Sequence, residues 1–413
     1  MNPRYEPFTP AQCQQLRVAL ATQVGTVDDF ARLRQLVSGD AVSLAGLRAL
    51  LAREHGLAGR FFARMAPSVL RHAQTLLVKG APSVAVHAQG EAARSVFTRA
   101  EVGAWVAHMF LGTLPSPGVL FPSLDFARLL ASTRDYELAK LRCALEYFDR
   151  IAVTSPRGRV EVERVVVPAR TAMEWAFDGA PLTALTVDPT GTIEDAAQHL
   201  QADFANAFVG GGVLRGGCVQ EEIRFAVAPE HMIAMLVSPR MADDEAIVMR
   251  GAERFARTRG YAYELEFDGP FHDPTARLAD GSVDVDFVAI DAIDYRRGDP
   301  DTQFGEEAML RELTKCRAGL RRDARGLPFA TGNWGCGAFR GSPPLKAILQ
   351  WIAASAEGRS LRYCTFGDAR VGDLAGFVAK AAARFKTAGA LWSRVRVAAR
   401  DGESGLYERV LEG

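Results

Sequence analysis

This chain has no excess of charge of either sign. Lys plus Arg number 49 and Asp plus Glu number 49 among 413 residues, so no global field draws the protein to nucleic acid or to a membrane surface. Cysteine is sparse. Its six residues (Cys13, Cys143, Cys218, Cys316, Cys336, Cys364) are scattered and never form C-x-x-C. That argues against a zinc ribbon or a disulfide framework and suits a reducing compartment. No apolar run approaches the ~18 residues of a membrane span, and the start MNPRYEPFTPAQ lacks the basic-then-apolar pattern of a secretion signal. These absences lead us to expect an intracellular protein, cytoplasmic or nuclear, that is not secreted, not in a membrane and not a direct binder of nucleic acid. No internal repeat or low-complexity segment is detected.

What is present changes texture along the chain. A length of 413 residues exceeds the ~250–300 at which single cores stop growing, so two domains are expected. Residues 1–155 read as an all-helical accessory domain. In Tyr136–Ile151, for example, Leu138, Leu141, Leu145 and Phe148 fall on one stripe of the kind that packs into a core. Pro115, Pro117 and Pro122 break the helical pattern with an extended loop. Residues 156–413 carry short β-rich runs: Val160–Val167, Leu182–Val187, Ala246–Met249, Tyr261–Phe267, Val285–Ile290, Leu327–Ala330 and Leu361–Phe366. Helical stretches at Glu306–Leu320, Leu345–Ala356 and Leu374–Phe385 lie between several of them. This alternation predicts an α/β fold, a three-layer sheet with helices on both faces and ligand loops at the strand ends. The sheet should be mixed, because no helical pattern separates Tyr261–Phe267 from Val285–Ile290.

One stretch stands apart, DFANAFVGGGVLRGGCVQEEIRF (Asp203–Phe225). Gly210, Gly211 and Gly212 follow a strand-like run, and glycines there let backbone N–H groups close on a diphosphate. Gln220, Glu221 and Glu222 open a helix. Adjacent acids at a helix start are commonly favourable charges on the macrodipole; beside a ligand loop they are also equipment for acid/base chemistry. Neighbours on a helix point about 100° apart, so the two glutamates cannot share one job. A general acid needs a raised pKa, which burial supplies and a helix N-terminus opposes. Asn206 is placed as a ligand contact, while Asp203 either lines the site or holds the loop or the helix. A second glycine cluster, Thr331–Phe339 (TGNWGCGAF), also suits backbone approach to phosphate. Its Cys336 reads as a small buried residue, since no histidine accompanies it. Tyr261 and Phe366 either stack on a ligand or fill core. No histidine lies in either cluster, and no metal site is expected.

Taken together, these blocks resemble the poly(ADP-ribose) glycohydrolases. KLRCALEYFDRI (Lys140–Ile151), GTIEDA (Gly191–Ala196), DEAIVMRGAERFARTRGYAYELEF (Asp244–Phe267) and RYCTFGD (Arg362–Asp368) add to the likeness, which runs over roughly 115–385. The resemblance implies a helical accessory domain before a macrodomain-like domain that binds ADP-ribose. It makes Glu222 the catalytic acid/base, Glu221 the carboxylate that positions a ribose, and Asp203 and Asn206 residues that support and line the site. Gly210, Gly211 and Gly212 would be the diphosphate loop, and Ile193, Glu194 and Gln220 the adenine pocket. Asn333 and Phe366 would lie near the diphosphate and terminal ribose, with Tyr261 closing over the substrate. The chain departs from the family pattern at Ser342-Pro343-Pro344, where an acidic residue is expected, and at Asp244, where Asn is expected.

The implied activity is hydrolysis of ribose–ribose O-glycosidic bonds of poly(ADP-ribose), releasing ADP-ribose without cofactor or metal. Polymer, ADP-ribose and ADP-ribosylated proteins would be its partners, and the chain is expected to be a monomer. The alternative is a macrodomain reader that binds ADP-ribose without cleaving it; the Glu221-Glu222 pair speaks against that. An oxidoreductase is disfavoured because no G-x-G-x-x-G follows a first strand.

Overall fold

The structure, a computed structural model, describes residues 3–78 and 80–412. Among these, eight strands form one sheet: β1 (Ala93–Thr98), β2 (Arg159–Val166), β3 (Leu185–Asp188), β4 (Leu200–Ala205), β5 (Glu245–Arg250), β6 (Asp286–Asp291), β7 (Phe329–Gly332) and β8 (Leu361–Cys364). Their order is β1-β2-β5-β6-β4-β7-β8-β3. Strands β6, β4, β7, β8 and β3 run parallel. The other three continue the sheet antiparallel, so it is mixed as expected.

Side-chain alternation along the central strands divides two cores. Ile247, Met249, Phe287 and Ala289 face one layer, and Ala246, Val248, Val288 and Ile290 the other. Behind the second face pack the helices Glu306–Leu320, Pro343–Ala356, Leu374–Arg384 and Ala388–Ala398. Against the first lie Gln220–Val227, Met232–Val237 and the N-terminal helices. The apolar core of those N-terminal helices runs without a break into that face. Phe30, Leu47, Phe61 and Phe110 belong to the same cluster as Phe225, Met249 and Phe287.

The first part of the chain is therefore not all helix. Ala93–Thr98 is an edge strand of the main sheet, paired with β2 from Ala93↔Arg164 to Thr98↔Arg159. The Tyr261–Phe267 run also differs from expectation. Gly260 turns the chain at φ +73°, Ala262–Glu264 forms one 3-10 turn, and the strand begins only at Glu266, pairing with Ala256–Arg259 outside the main sheet. Where an acidic residue was expected, Ser342 caps the helix Pro343–Ala356 by accepting the Leu345 amide, and Pro343 occupies the first helical position.

Helix Asp135–Val153 joins the two parts, and it is buried on nearly every side. Its apolar stripe enters the shared core. Its charged residues are matched by partners: Arg142 with Glu54 at 2.6 Å and Glu146 at 3.0 Å, Asp149 with Arg64 at 2.6 Å. No helix among the described residues is long and apolar enough to cross a membrane. Because the core is shared, Leu145→Ala should destabilise the whole chain by about 2–5 kcal/mol. Urea unfolding followed by tryptophan fluorescence and by far-UV circular dichroism should show one coincident, shifted transition. Two transitions, with only one displaced, would mean that the parts unfold independently.

Candidate active site

Strands β4 and β7 are paired only at Leu200↔Phe329 and Gln201↔Ala330. Beyond that point they part, and a crevice opens at the carboxyl ends of parallel strands, where ligands bind in open α/β sheets. Gln220 closes the exposed edge of β4. Its Oε1 accepts the Phe204 amide (2.9 Å) and its Nε2 donates to the Ala202 carbonyl (3.1 Å) and Glu194 Oε1 (3.4 Å). A side chain thus stands in for the missing strand, and the first residue of helix Gln220–Val227 is fixed to the sheet.

The two glutamates that follow are held from one loop. Glu221 accepts the amides of Asn206 (2.8 Å) and Gly210 (2.6 Å). Glu222 accepts those of Gly212 (2.8 Å) and Val219 (2.9 Å). The Val219 bond is the half of a capping box that an apolar N-cap still permits. Burial, then Asp203, then Glu222 push the Glu221 carboxyl well above the usual range, while the amides of Asn206 and Gly210 pull it down. For Glu221, then, burial prevails over the helix start. Asp203 lies fully buried beneath, and burial followed by the Glu222 charge likewise raises its carboxyl, with Arg224 opposing. Neither Asp203 oxygen has a hydrogen-bond partner among the described residues. Its effect on the site is electrostatic; it does not tie down the loop or the helix by hydrogen bonds.

A cavity of about 940 Å³ fronts the pair, and Glu194, Asn206, Gln220, Glu221, Glu222, Tyr261, Asn333 and Phe366 all line it. Asn206 spends its Oδ1 on the Phe208 amide (3.0 Å). Asn333 is more fully committed: its Nδ2 faces Thr365 O and Asp368, and its Oδ1 accepts from Tyr363. Phe366 adopts φ +53° and, like Tyr261, remains about half exposed over the opening. Ile193 is buried and outside the lining.

The glycine run requires a correction. Gly210, Gly211 and Gly212 do not line the cavity, and their amides are already engaged, with Glu221, the Phe208 carbonyl (2.9 Å) and Glu222 respectively. They are not free donors for a diphosphate. Gly211, at φ +51°, lies between the two carboxylates: a Cβ there would stand 2.6 Å from Glu221 Oε2 and closer still to Glu222 Oε1. Gly211 thus lets two acids sit against the backbone, whereas a Cβ at Gly210 would meet Met235 and one at Gly212 the Gly217 backbone.

The second cluster has what the first lacks. Gly335, Cys336, Gly337, Ala338 and Phe339 line the cavity. Among the described residues, the amides of Gly337, Ala338 and Phe339 find no acceptor in the chain. Cys336 is buried, its thiol pushed up to about 12. Sequence reasoning missed the lining residues Arg224, Arg254, Tyr263, Arg296 and Arg370, for which spacing gave no signal. It also gave Lys140 no role, although a lysine inside a core stripe was a signal. Among the described residues, no group of three or more His, Cys, Asp or Glu side chains is placed to hold a metal ion.

This is an α/β domain with a two-glutamate ligand crevice, joined to a helical domain. A family model for the macro domain fold of poly(ADP-ribose) glycohydrolase matches residues 172–373, and one for the helical domain of the same enzyme matches residues 54–164. The chain belongs to the poly(ADP-ribose) glycohydrolase family. Poly(ADP-ribose) glycohydrolases 1 and 2 of Caenorhabditis elegans are each 34% identical to it, over 68% of this chain and over 37% and 59% of their own lengths. Poly(ADP-ribose) glycohydrolase 1 of Arabidopsis thaliana is 33% identical over 64% of this chain and 62% of its own. The chain thus spans less than two thirds of these relatives. A solved poly(ADP-ribose) glycohydrolase from Deinococcus radiodurans, in complex with ADP-ribose, covers 50% of this chain and 88% of its own at 16% identity and TM-score 0.32.

Gly211→Ala should leave the protein folded and reduce any activity of the site by about 10²-fold, because its Cβ displaces both carboxylates. Turnover within threefold of wild type would show that the loop yields without moving them. Asp203→Asn tests the buried charge. The raised carboxyl keeps its proton in the folded state after the unfolded chain has released it, so wild-type stability falls as pH rises above about 4. The stability difference between variant and wild type should therefore shift toward the variant between pH 4.5 and 7, by up to about 1.4 kcal/mol per pH unit. A difference that stays flat across that range, in thermal unfolding, would place the folded pKa near its ordinary value.

Proposed function

We propose that the protein hydrolyses the O-glycosidic bonds between successive ADP-ribose units of poly(ADP-ribose) and releases ADP-ribose. The observation that carries this reading is Glu222: its carboxylate faces the cavity, and backbone amides fix both of its oxygens. The adenine would sit against Gln220 and Glu194, and the diphosphate would meet the unengaged amides of Gly337, Ala338 and Phe339. Tyr261 and Phe366 would cover the ribose beside the scissile bond. Glu222 protonates the departing ribose oxygen, and the C–O bond breaks to leave an oxocarbenium-like sugar that the substrate's own diphosphate stabilises. As carboxylate, Glu222 then takes a proton from the water that attacks the same carbon. Most glycosidases divide these steps between carboxylates on opposite sides of the bond. Here Glu221, bound to Asn206 and Gly210, would position the ribose while Glu222 acts twice. The polymer would be presented on ADP-ribosylated proteins, in the cytoplasm or nucleus.

The test is incubation with poly(ADP-ribosyl)ated protein and assay of free ADP-ribose. Glu222→Gln should lower turnover by at least ~10²–10⁴-fold, since the amide cannot give and take a proton in turn. Its affinity for ADP-ribose, by calorimetry, should stay within a few-fold. A variant keeping a tenth of wild-type turnover would end the single-carboxylate mechanism. Wild-type protein that binds ADP-ribose but releases none from polymer would make the chain a reader.

A further inference from the structure

The helical part of the chain places one charge directly beneath the catalytic loop. Lys140, on helix Asp135–Val153, is 1% exposed. Its ammonium forms no ion pair among the described residues. It donates instead to three backbone carbonyls, those of Gly212 (3.3 Å), Arg215 (2.6 Å) and Gly217. An ammonium has three donors, so all are used on one six-residue turn. Burying it is costly, and burial pulls its pKa down to about 8. A methionine or leucine would fill the same space without that cost. The lysine is explained by what it holds.

The held turn is the one that carries Glu222. Gly212 offers its carbonyl to Lys140 and its amide to Glu222 Oε1. Gly217 offers its carbonyl to Lys140, its amide donates to the Gly212 carbonyl (3.2 Å), and a Cβ on it would stand 2.7 Å from Glu222 Cδ. Two residues on, Val219 supplies the second amide to Glu222. The backbone from Gly212 to Val219 is thus gripped on its inner side by the lysine and presents its donors to the carboxylate on the other. Lys140 does not touch the cavity. Without it, the carbonyls of Arg215 and Gly217 would lose their donor, Gly212 keeping only the amides of its own turn, and the turn would be free to relax away from Glu222.

We propose that Lys140 is a positioning residue through which the helical part sets the catalytic geometry: it holds the Gly212–Gly217 turn so that the amides of Gly212 and Val219 fix the Glu222 carboxylate. The inference rests on the reading of Glu222 as the acid/base.

The test uses full-length Lys140→Met, which keeps the length and removes the donors, beside Lys140→Arg, which returns charge and donors. Lys140→Met should lower kcat on poly(ADP-ribose) by about 10²-fold, the scale of a 1 Å misplacement. Its Kd for ADP-ribose should remain within threefold, because the adenine and diphosphate contacts lie elsewhere. Lys140→Arg should recover at least a tenth of the wild-type kcat. Hydrogen exchange of the 210–219 amides, without substrate, should accelerate in Lys140→Met and not in a surface control on the same helix such as Val153→Ala. If Lys140→Met does not fold, Lys140→Gln, which keeps amide donors without charge, should show an intermediate kcat at unchanged Kd. A folded Lys140→Met with kcat within threefold of wild type overturns the proposal. So does an equal loss of kcat and ADP-ribose affinity, which would mark general loosening. Wild-type protein with no turnover defeats the functional reading instead, and the exchange rates then still decide whether Lys140 holds the turn.

Discussion

Two adjacent carboxylates are forced into a nearly closed site by four backbone amides, and the surrounding structure answers to that constraint. Glu221 and Glu222 are 2% and 7% exposed, one residue apart at the start of a helix. Like charges so close repel, and burial penalises each further. The offset comes from Asn206, Gly210, Gly212 and Val219, whose N–H groups reach the acids only because the chain between them coils tightly with left-handed glycines at 210 and 211. With Asp203 directly below, burial and the neighbouring charges raise the carboxyls of Asp203 and Glu221, so these two acids hold a proton more readily than exposed ones.

Where the crevice lies follows from the sheet. Parallel strands whose ladder stops after two pairs leave backbone groups exposed, and orphaned groups are costly in an interior. Gln220 answers this with one carboxamide that serves Ala202 and Phe204 at once. The same residue therefore repairs β4, starts the helix and, through Glu194, faces the cavity. An apolar residue at 220 would leave the strand unsatisfied and the helix start unanchored.

Much of this was legible in the sequence because it rests on local rules. Helix Glu306–Leu320 has the bounds its periodicity predicts, and the Gln-Glu-Glu triplet does open a helix that lines a cavity. What misled is equally physical. A glycine is required wherever a Cβ would collide or φ turns positive, and the sequence does not say what it would collide with. At Gly211 the neighbour is a pair of carboxylates, not phosphate. Tyr261–Phe267 has the composition of a strand, yet Gly260 and Ala262 bend it into a 3-10 turn that sets Tyr261 at the cavity. Ala93–Thr98 escaped notice because its pairing partner lies some 65 residues later, beyond any local pattern.

Long-range pairing also decides how the two parts of the chain relate. Two domains with separate cores could move independently, and a crevice between them could change shape. Here β1 hydrogen-bonds to β2, the N-terminal helices share a core with the sheet, and a salt-bridged triad joins Arg99 to Glu230 (2.8 Å) and Glu253 (2.6 Å) across the same boundary. Removing one member of such a buried set leaves an uncompensated charge and is strongly destabilising, so the two sides of the boundary are held together. A boundary built in this way transmits position. Lys140 makes use of it: a side chain from the helical part reaches the turn behind Glu222 because the helix that bears it cannot shift without disturbing the packing along its length. The N-terminal helices thus form one wall of the frame that keeps a pair of buried acids in place.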